Sequence, residues 1–263
     1  MKSISVLLVG IAATVFVLPG ATFAQEDEPP PQYVSVDCMK STAPDYADIE
    51  VKLWQPMHQR RVEQGKISSW ALYRVLYGDR TNCDFYTVTV FTGAEQLNAD
   101  PAFEEVFAAV YPDRNLRQAM ASTWEARKHM ATHLWLTVDH IAATSHRYAV
   151  VNKMYAGDPD MYERMERRVF KPGHQALIDG GHRSGWGMYE LVAPLGSSIP
   201  YNYQTVDFMN DLNPVPMAEA LMTAHPDRDL DALEDLLQLR DQVSSETWVR
   251  VAATEGISEG MKE

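Results

Sequence analysis

Two histidines occupy the same place in a repeated pattern, and imidazole is the side chain best suited to move protons near neutral pH. His58 lies in Trp54-Gln-Pro-Met-His-Gln59, and His174 lies in Phe170-Lys-Pro-Gly-His-Gln175. Each follows a proline by two positions and an aromatic residue by four, and each precedes an aliphatic residue, Val62 or Ile178, by four. Positions four apart share a helix face, so each imidazole should sit beside an aromatic ring at the edge of a buried stripe. There it could act as a general base, a hydrogen-bond donor, or a ligand to a metal or haem iron. The alternative is structural, with each ring packed against Trp70 or Trp186. Pro56 and Pro172 have no N–H to give the carbonyl four residues back. A carbonyl near Lys52 and one near Arg168 therefore lose their usual partner, which predicts a kinked helix turning the imidazole toward a cavity.

The pattern extends beyond the histidines. Residues 54–78 and 170–194 align without gaps at an offset of 116 (174 − 58 and 186 − 70), with seven identities in 25 positions. Trp70 and Tyr73 answer to Trp186 and Tyr189. The tryptophans and tyrosines fall on opposite faces of the second strand in each half, and with Trp54 and Phe170 they are the candidate ligand-binding residues, an aromatic wall for a planar apolar ligand with the tyrosine hydroxyl fixing its orientation. The plainer reading makes them core residues. Tyr111-Pro-Asp-Arg114 is answered by His225-Pro-Asp-Arg228, where Asp113 and Asp227 suit helix capping.

Four further histidines, His129, His133, His140 and His146, cluster in sequence. A helix end is expected between His129 and His133, and no cysteine or carboxylate partners of a zinc pattern accompany them, so no metal site is assigned. There is no phosphate-binding glycine loop, nucleophile elbow or paired-cysteine motif, and no cofactor is expected.

These residues need a scaffold. Tyr33–Met39 alternates as a strand, Asp45–Gln64 reads as an amphipathic helix, and Ser68–Tyr77 and Cys83–Thr92 form a hairpin. A helical region from Ala94 to Met130, broken near Tyr111-Pro112, leads to a fourth strand at Thr132–Val138. The second half repeats the order with strand Arg147–Tyr155, helix Asp158–Asp179, hairpin Ser184–Val192 and Pro200–Met209, helical region Pro214–Gln242 and strand Glu246–Val251. The fold class is therefore α+β: two tandem ferredoxin-like βαββαβ units, residues 33–142 and 147–254, packed sheet to sheet as a pseudo-dimeric α/β barrel. Each sheet takes the order 4-1-3-2, so the first and third strands are neighbours. That places Cys38 near Cys83, the only two cysteines, close enough for a disulfide.

Lys2, an apolar run from Ile4 to Pro19 and the small-residue end Ala21-Thr-Phe-Ala24 have the order of a secretory signal peptide at 1–24, and an uncleaved anchor is the alternative. Residues 25–32 read as a charged, proline-rich linker and 255–263 as a tail. The expected location is periplasmic or secreted, with no membrane attachment after cleavage. A formal charge of −13 opposes nucleic-acid binding. The expected partner is a small, partly aromatic organic ligand, and a homo-oligomer is compatible with the sequence.

With this element order and duplication, the chain resembles the tandem form of the dimeric ferredoxin-like α/β-barrel superfamily over about residues 33–254. That resemblance implies a range of activities, from cofactor-independent monooxygenases and cyclases to non-catalytic binding proteins and haem-dependent chlorite-degrading enzymes. A haem-binding version would need an axial ligand from His174 or His182.

Overall fold

The computed structural model describes residues 31–143, 145–213, 215–227 and 236–255. The proposed signal peptide, most of the linker and all but the first residue of the tail lie outside them.

Eight antiparallel strands close into one barrel in the order β1-β3-β2-β8-β5-β7-β6-β4. They are β1 (Gln32–Ser41), β2 (Ser69–Tyr77), β3 (Phe85–Thr92), β4 (Arg127–Ile141), β5 (Tyr148–Tyr155), β6 (Gly185–Ala193), β7 (Tyr203–Met209) and β8 (Asp241–Ala253). Each half supplies four neighbouring strands in the order fourth, first, third, second. Beyond facing one another, the two sheets are hydrogen-bonded edge to edge, β2 to β8 and β4 to β6.

The two-residue period of each strand separates an interior from an outer face. On β1, Val34, Val36 and Cys38 enter the interior core, while Ser35, Asp37 and Met39 face outward. Trp135 and Trp248 fill the interior from the two long strands. Each large apolar side chain buried there contributes about 1.5–3 kcal/mol.

Several boundaries differ from the sequence expectation. The fourth strand of each half is longer than expected, and strand replaces helix at Arg127–Met130 and Asp241–Gln242. The cause is tertiary. β4 pairs with β1 along Arg127–Leu136 and with β6 along Leu134–Ile141, so it must be long enough to serve both halves. His129 and His133 consequently share one strand rather than flanking a helix end. The first strand starts at Gln32, one residue early.

Helices cover the outer face. In the first half, α1 (Tyr46–Ile49) runs through a π-helical turn (Glu50–Trp54) into α2 (Gln55–Glu63). After β3 come α3 (Gly93–Asn98), α4 (Phe103–Val110) and α5 (Leu116–Ala126). In the second half, α6 (Pro159–Met165) runs through a π turn (Glu166–Phe170) into α7 (Lys171–Asp179), and α8 (Met217–Ala224) follows β7. Instead of a bare kink, each proline is preceded by five residues wound more widely, with the Gln55 and Lys171 N–H groups reaching the carbonyls of Glu50 and Glu166. The freed carbonyls find side-chain donors. The Tyr111 hydroxyl is 3.0 Å from both Lys52 O and Leu53 O, and His225 Nε2 is 2.9 Å from Val169 O. This accounts for the first residue of each aromatic-Pro-Asp-Arg motif. The capping role expected of Asp113 falls to Asn115, whose side chain accepts from Gln118 N, because α5 begins at Leu116, two residues later than a cap at Asp113 requires.

Cys38 and Cys83 form a disulfide with Cα atoms 5.4 Å apart, closing a 45-residue separation. Replacing both with serine should lower the unfolding free energy in urea by about 2–4 kcal/mol; an unchanged midpoint would show that the bridge does not constrain the unfolded chain. Tyr111→Phe should cost about 1 kcal/mol in the same assay through loss of the carbonyl partner.

Candidate functional site

Between the outer face of the sheet and the covering helices each half holds a cavity, about 470 Å³ in the first and about 390 Å³ in the second. One helix face supplies the wall. Tyr46, Glu50, Trp54 and His58 are each four residues apart, and Tyr162, Glu166, Phe170 and His174 repeat the series. On a regular α-helix four residues turn about 400°, so such a series drifts by roughly 40° per step. A π turn, which closes five residues back, takes up part of that drift and keeps the series facing the sheet.

The histidines lie flat on the tryptophans of the second strand in each half. His58 stacks on Trp70 at 4.8 Å between centroids and His174 on Trp186 at 4.9 Å. His58 Nδ1 is 3.1 Å from an Arg61 guanidinium nitrogen, and burial, aided by that cation, pushes the His58 pKa down to about 3. His174 Nδ1 contacts Arg183 and lies 3.2 Å from Asp207 Oδ1. Burial lowers its pKa as well, against the opposing pull of Asp207. Both rings are neutral near pH 7, and a base of that kind is weak there.

The group poised near neutrality is a carboxyl that sequence reasoning missed. Glu50 is 3 % exposed and Glu166 2 %, and burial lifts each pKa to about 7 against the pull of a nearby arginine. Those arginines are Arg127, 3.7 Å from Glu50, and Arg240, 3.6 Å from Glu166, each at the start of a long strand or just before it. The Tyr46 and Tyr162 hydroxyls adjoin the carboxyls and help to keep them ionised, although neither hydroxyl has a partner in hydrogen-bond geometry. A signal was available, since Tyr46/Tyr162 and Glu50/Glu166 keep the offset of 116 just upstream of the aligned window.

The structure brings Trp54, His58 and Trp70 together on the first cavity, and Phe170 and His174 on the second with Trp186 directly behind His174. Tyr73 and Tyr189 do not join them. They point into the barrel interior, where Tyr73 OH bonds His146 Nε2 at 2.7 Å, on the sheet face opposite the tryptophans. The remaining histidines are dispersed, His133 bonding Tyr201 and His129 bonding Asp37. No group of three or more metal-ligating side chains occurs among the described residues. A haem group does not fit the residues of the second half. His174 is packed flat against Trp186 with Nδ1 engaged by Arg183 and Asp207, and His182 borders a different hollow beside Tyr77 and Leu212.

The two cavities differ in their neutralisation. In the second, Arg183 is paired with Asp207. Asp207 lies opposite Trp186 in the strand register, and the residue opposite Trp70 is Thr89. Arg61 has no carboxylate partner within 4.0 Å among the described residues, and its Nε is buried without an acceptor.

No protein-family model matches the chain, and no curated protein matches it in sequence. Among solved structures it is similar to a candidate monooxygenase from Lactobacillus acidophilus NCFM (10 % identity, 86 % of this chain and 96 % of that one, TM-score 0.47). It is also similar to an anthrone oxidase-like protein (11 %, 89 % and 95 %, 0.45) and to a chlorite dismutase variant from Candidatus Nitrospira defluvii (10 %, 84 % and 91 %, 0.45). Identity this low transfers no residue's role. No helix among the described residues is long and apolar enough to cross a membrane.

The raised carboxyl pKa has a stability signature. Folded chains hold a proton on Glu50 that unfolded chains release near the ordinary carboxylate value, so this group's contribution is complete below pH 4.5 and is lost as pH rises through about 7. Glu50→Gln, neutral throughout, should lose less stability than the parent between pH 6 and 8 in urea titrations. Parallel slopes would refute the shift.

Proposed function

We propose that this chain is an exported small-molecule-binding protein built from two ferredoxin-like units, 33–142 and 147–254, each holding one ligand between helix and sheet. The observation that carries this reading is the repeated Glu-aromatic-His face set against a partly buried arginine beside a cavity in both halves. Cavities of about 470 and 390 Å³ fall within the usual range for organic ligands, about 300–1,000 Å³. The disulfide supports the periplasmic or secreted location that the N-terminal sequence suggests.

A second reading, a cofactor-independent enzyme of the monooxygenase or cyclase kind, is favoured by the carboxyls poised at about 7. In that case Glu50 and Glu166, rather than His58 and His174, take a proton from the bound molecule, and each neutral histidine orients it.

Native mass spectrometry of the protein isolated from its own cells should show an added mass on the order of a few hundred daltons that is lost on denaturation. Only the bare polypeptide mass, together with no uptake of small aromatic probes, would remove the reading. If the chain is an enzyme, a Glu50→Gln/Glu166→Gln variant should retain a chemically different molecule, the unreacted substrate. An identical molecule in both would leave a binding protein.

A further inference from the structure

The two halves provide an internal control. In the second, a guanidinium, an imidazole and a carboxylate meet within the wall: Arg183 contacts both His174 Nδ1 and Asp207, and Asp207 lies 3.2 Å from the same imidazole nitrogen. In the first, the guanidinium and imidazole are present without the carboxylate. Arg61 reaches His58 Nδ1 at 3.1 Å from a different backbone position, on α2 instead of the loop after α7, and Thr89 stands where Asp207 would supply the charge. A buried cation with an unpartnered N–H and no carboxylate beside it carries a standing cost, which Arg183 avoids. Arg61 is 6 % exposed, and the Phe103 ring, 4.8 Å below its guanidinium, offers only a face.

The other charges on this cavity are already committed. Glu50 faces Arg127 at 3.7 Å, and Asp37 is held by Thr132 and His129 on the adjoining strand. The walls differ too. The first cavity is lined by Trp54, Phe91, Phe103 and Trp124, with Trp124 62 % exposed, whereas among the described residues Phe170 is the one phenylalanine or tryptophan lining the second, beside Met154, Met217, Leu221 and Leu237.

We propose that the first cavity, and not the second, binds a planar aromatic carboxylate, whose carboxylate group takes the place beside Arg61 and His58 that Asp207 fills beside Arg183 and His174. The charge-assisted bidentate contact that arginine makes with a carboxylate supplies the selectivity. The aromatic walls supply the affinity for the ring. This assignment rests on the small-molecule reading above and restricts it to one ligand class in one half.

The test is a calorimetric titration of the intact chain with 2-naphthoate and with its neutral analogue 2-naphthamide, with inorganic phosphate as competitor. Naphthoate should bind once per chain, about tenfold or more tighter than the amide. Thr89→Asp, which builds the second half's carboxylate into the first, should abolish that preference without lowering the melting temperature. Arg61→Gln should abolish the preference from the other side, which settles the matter if the aspartate disturbs folding.

Equal affinity for acid and amide would overturn the carboxylate assignment and leave the small-molecule reading standing. Two equivalents per chain would overturn the restriction to the first half. Displacement of naphthoate by phosphate at comparable concentration would reduce the site to a simple anion trap. No uptake of either probe would sink this proposal, and the underlying reading would fall with it only if the natively isolated protein also carried no added mass.

Discussion

The continuous ladder of backbone hydrogen bonds around eight strands is the constraint on which the remaining structure depends. β4 and β8 reach past their own halves, and their pairing to β6 and β2 leaves neither sheet with an open edge. Closure fixes what each strand face can do. One face turns into a core containing Trp135 and Trp248, and the other must be covered from outside by helices. The two repeated cavities lie under that covering layer.

The covering helix meets this demand through an irregularity. A residue series at intervals of four cannot stay on one face of a regular α-helix. The proline that prevents the normal hydrogen bond and the π turn before it together correct the drift, so Glu50, Trp54 and His58 face one cavity and Glu166, Phe170 and His174 face the other. The irregularity leaves carbonyls without partners, and Tyr111 and His225 supply donors from the next helical segment. The Pro-x-His pattern and the Pro-Asp-Arg pattern, more than fifty residues apart in sequence, are thus parts of one device. The ionisable groups at the helix's inner face follow the same logic: a glutamate brought under the sheet needs an arginine opposite, and both halves provide one.

Much of this was legible in the sequence because it was written twice. The repeated Pro-x-His-Gln and the matched tryptophans lie beside the two cavities, and the patterns of Tyr33–Met39 and Ser68–Tyr77 marked two of the strands. The lengths of β4 and β8 were not legible, since residues such as Lys128 and His129 are extended only because a partner strand lies beside them. Glu50 and Glu166 escaped notice for a different reason. A glutamate on a helix ordinarily marks the solvent side, and only the arginine arriving from a strand more than seventy residues later shows it to be buried. Arg61 was hidden in the same way, as one of two consecutive arginines at a helix end.

Carrying both halves on one polypeptide has an evolutionary result. When two identical subunits assemble, any codon change alters both pockets at once, so neither can explore without endangering its twin. Covalent linkage removes that coupling: Thr89 and Asp207 occupy matched positions yet answer to separate codons. The self-neutralised pocket can go on supporting the fold while selection acts on what its counterpart admits.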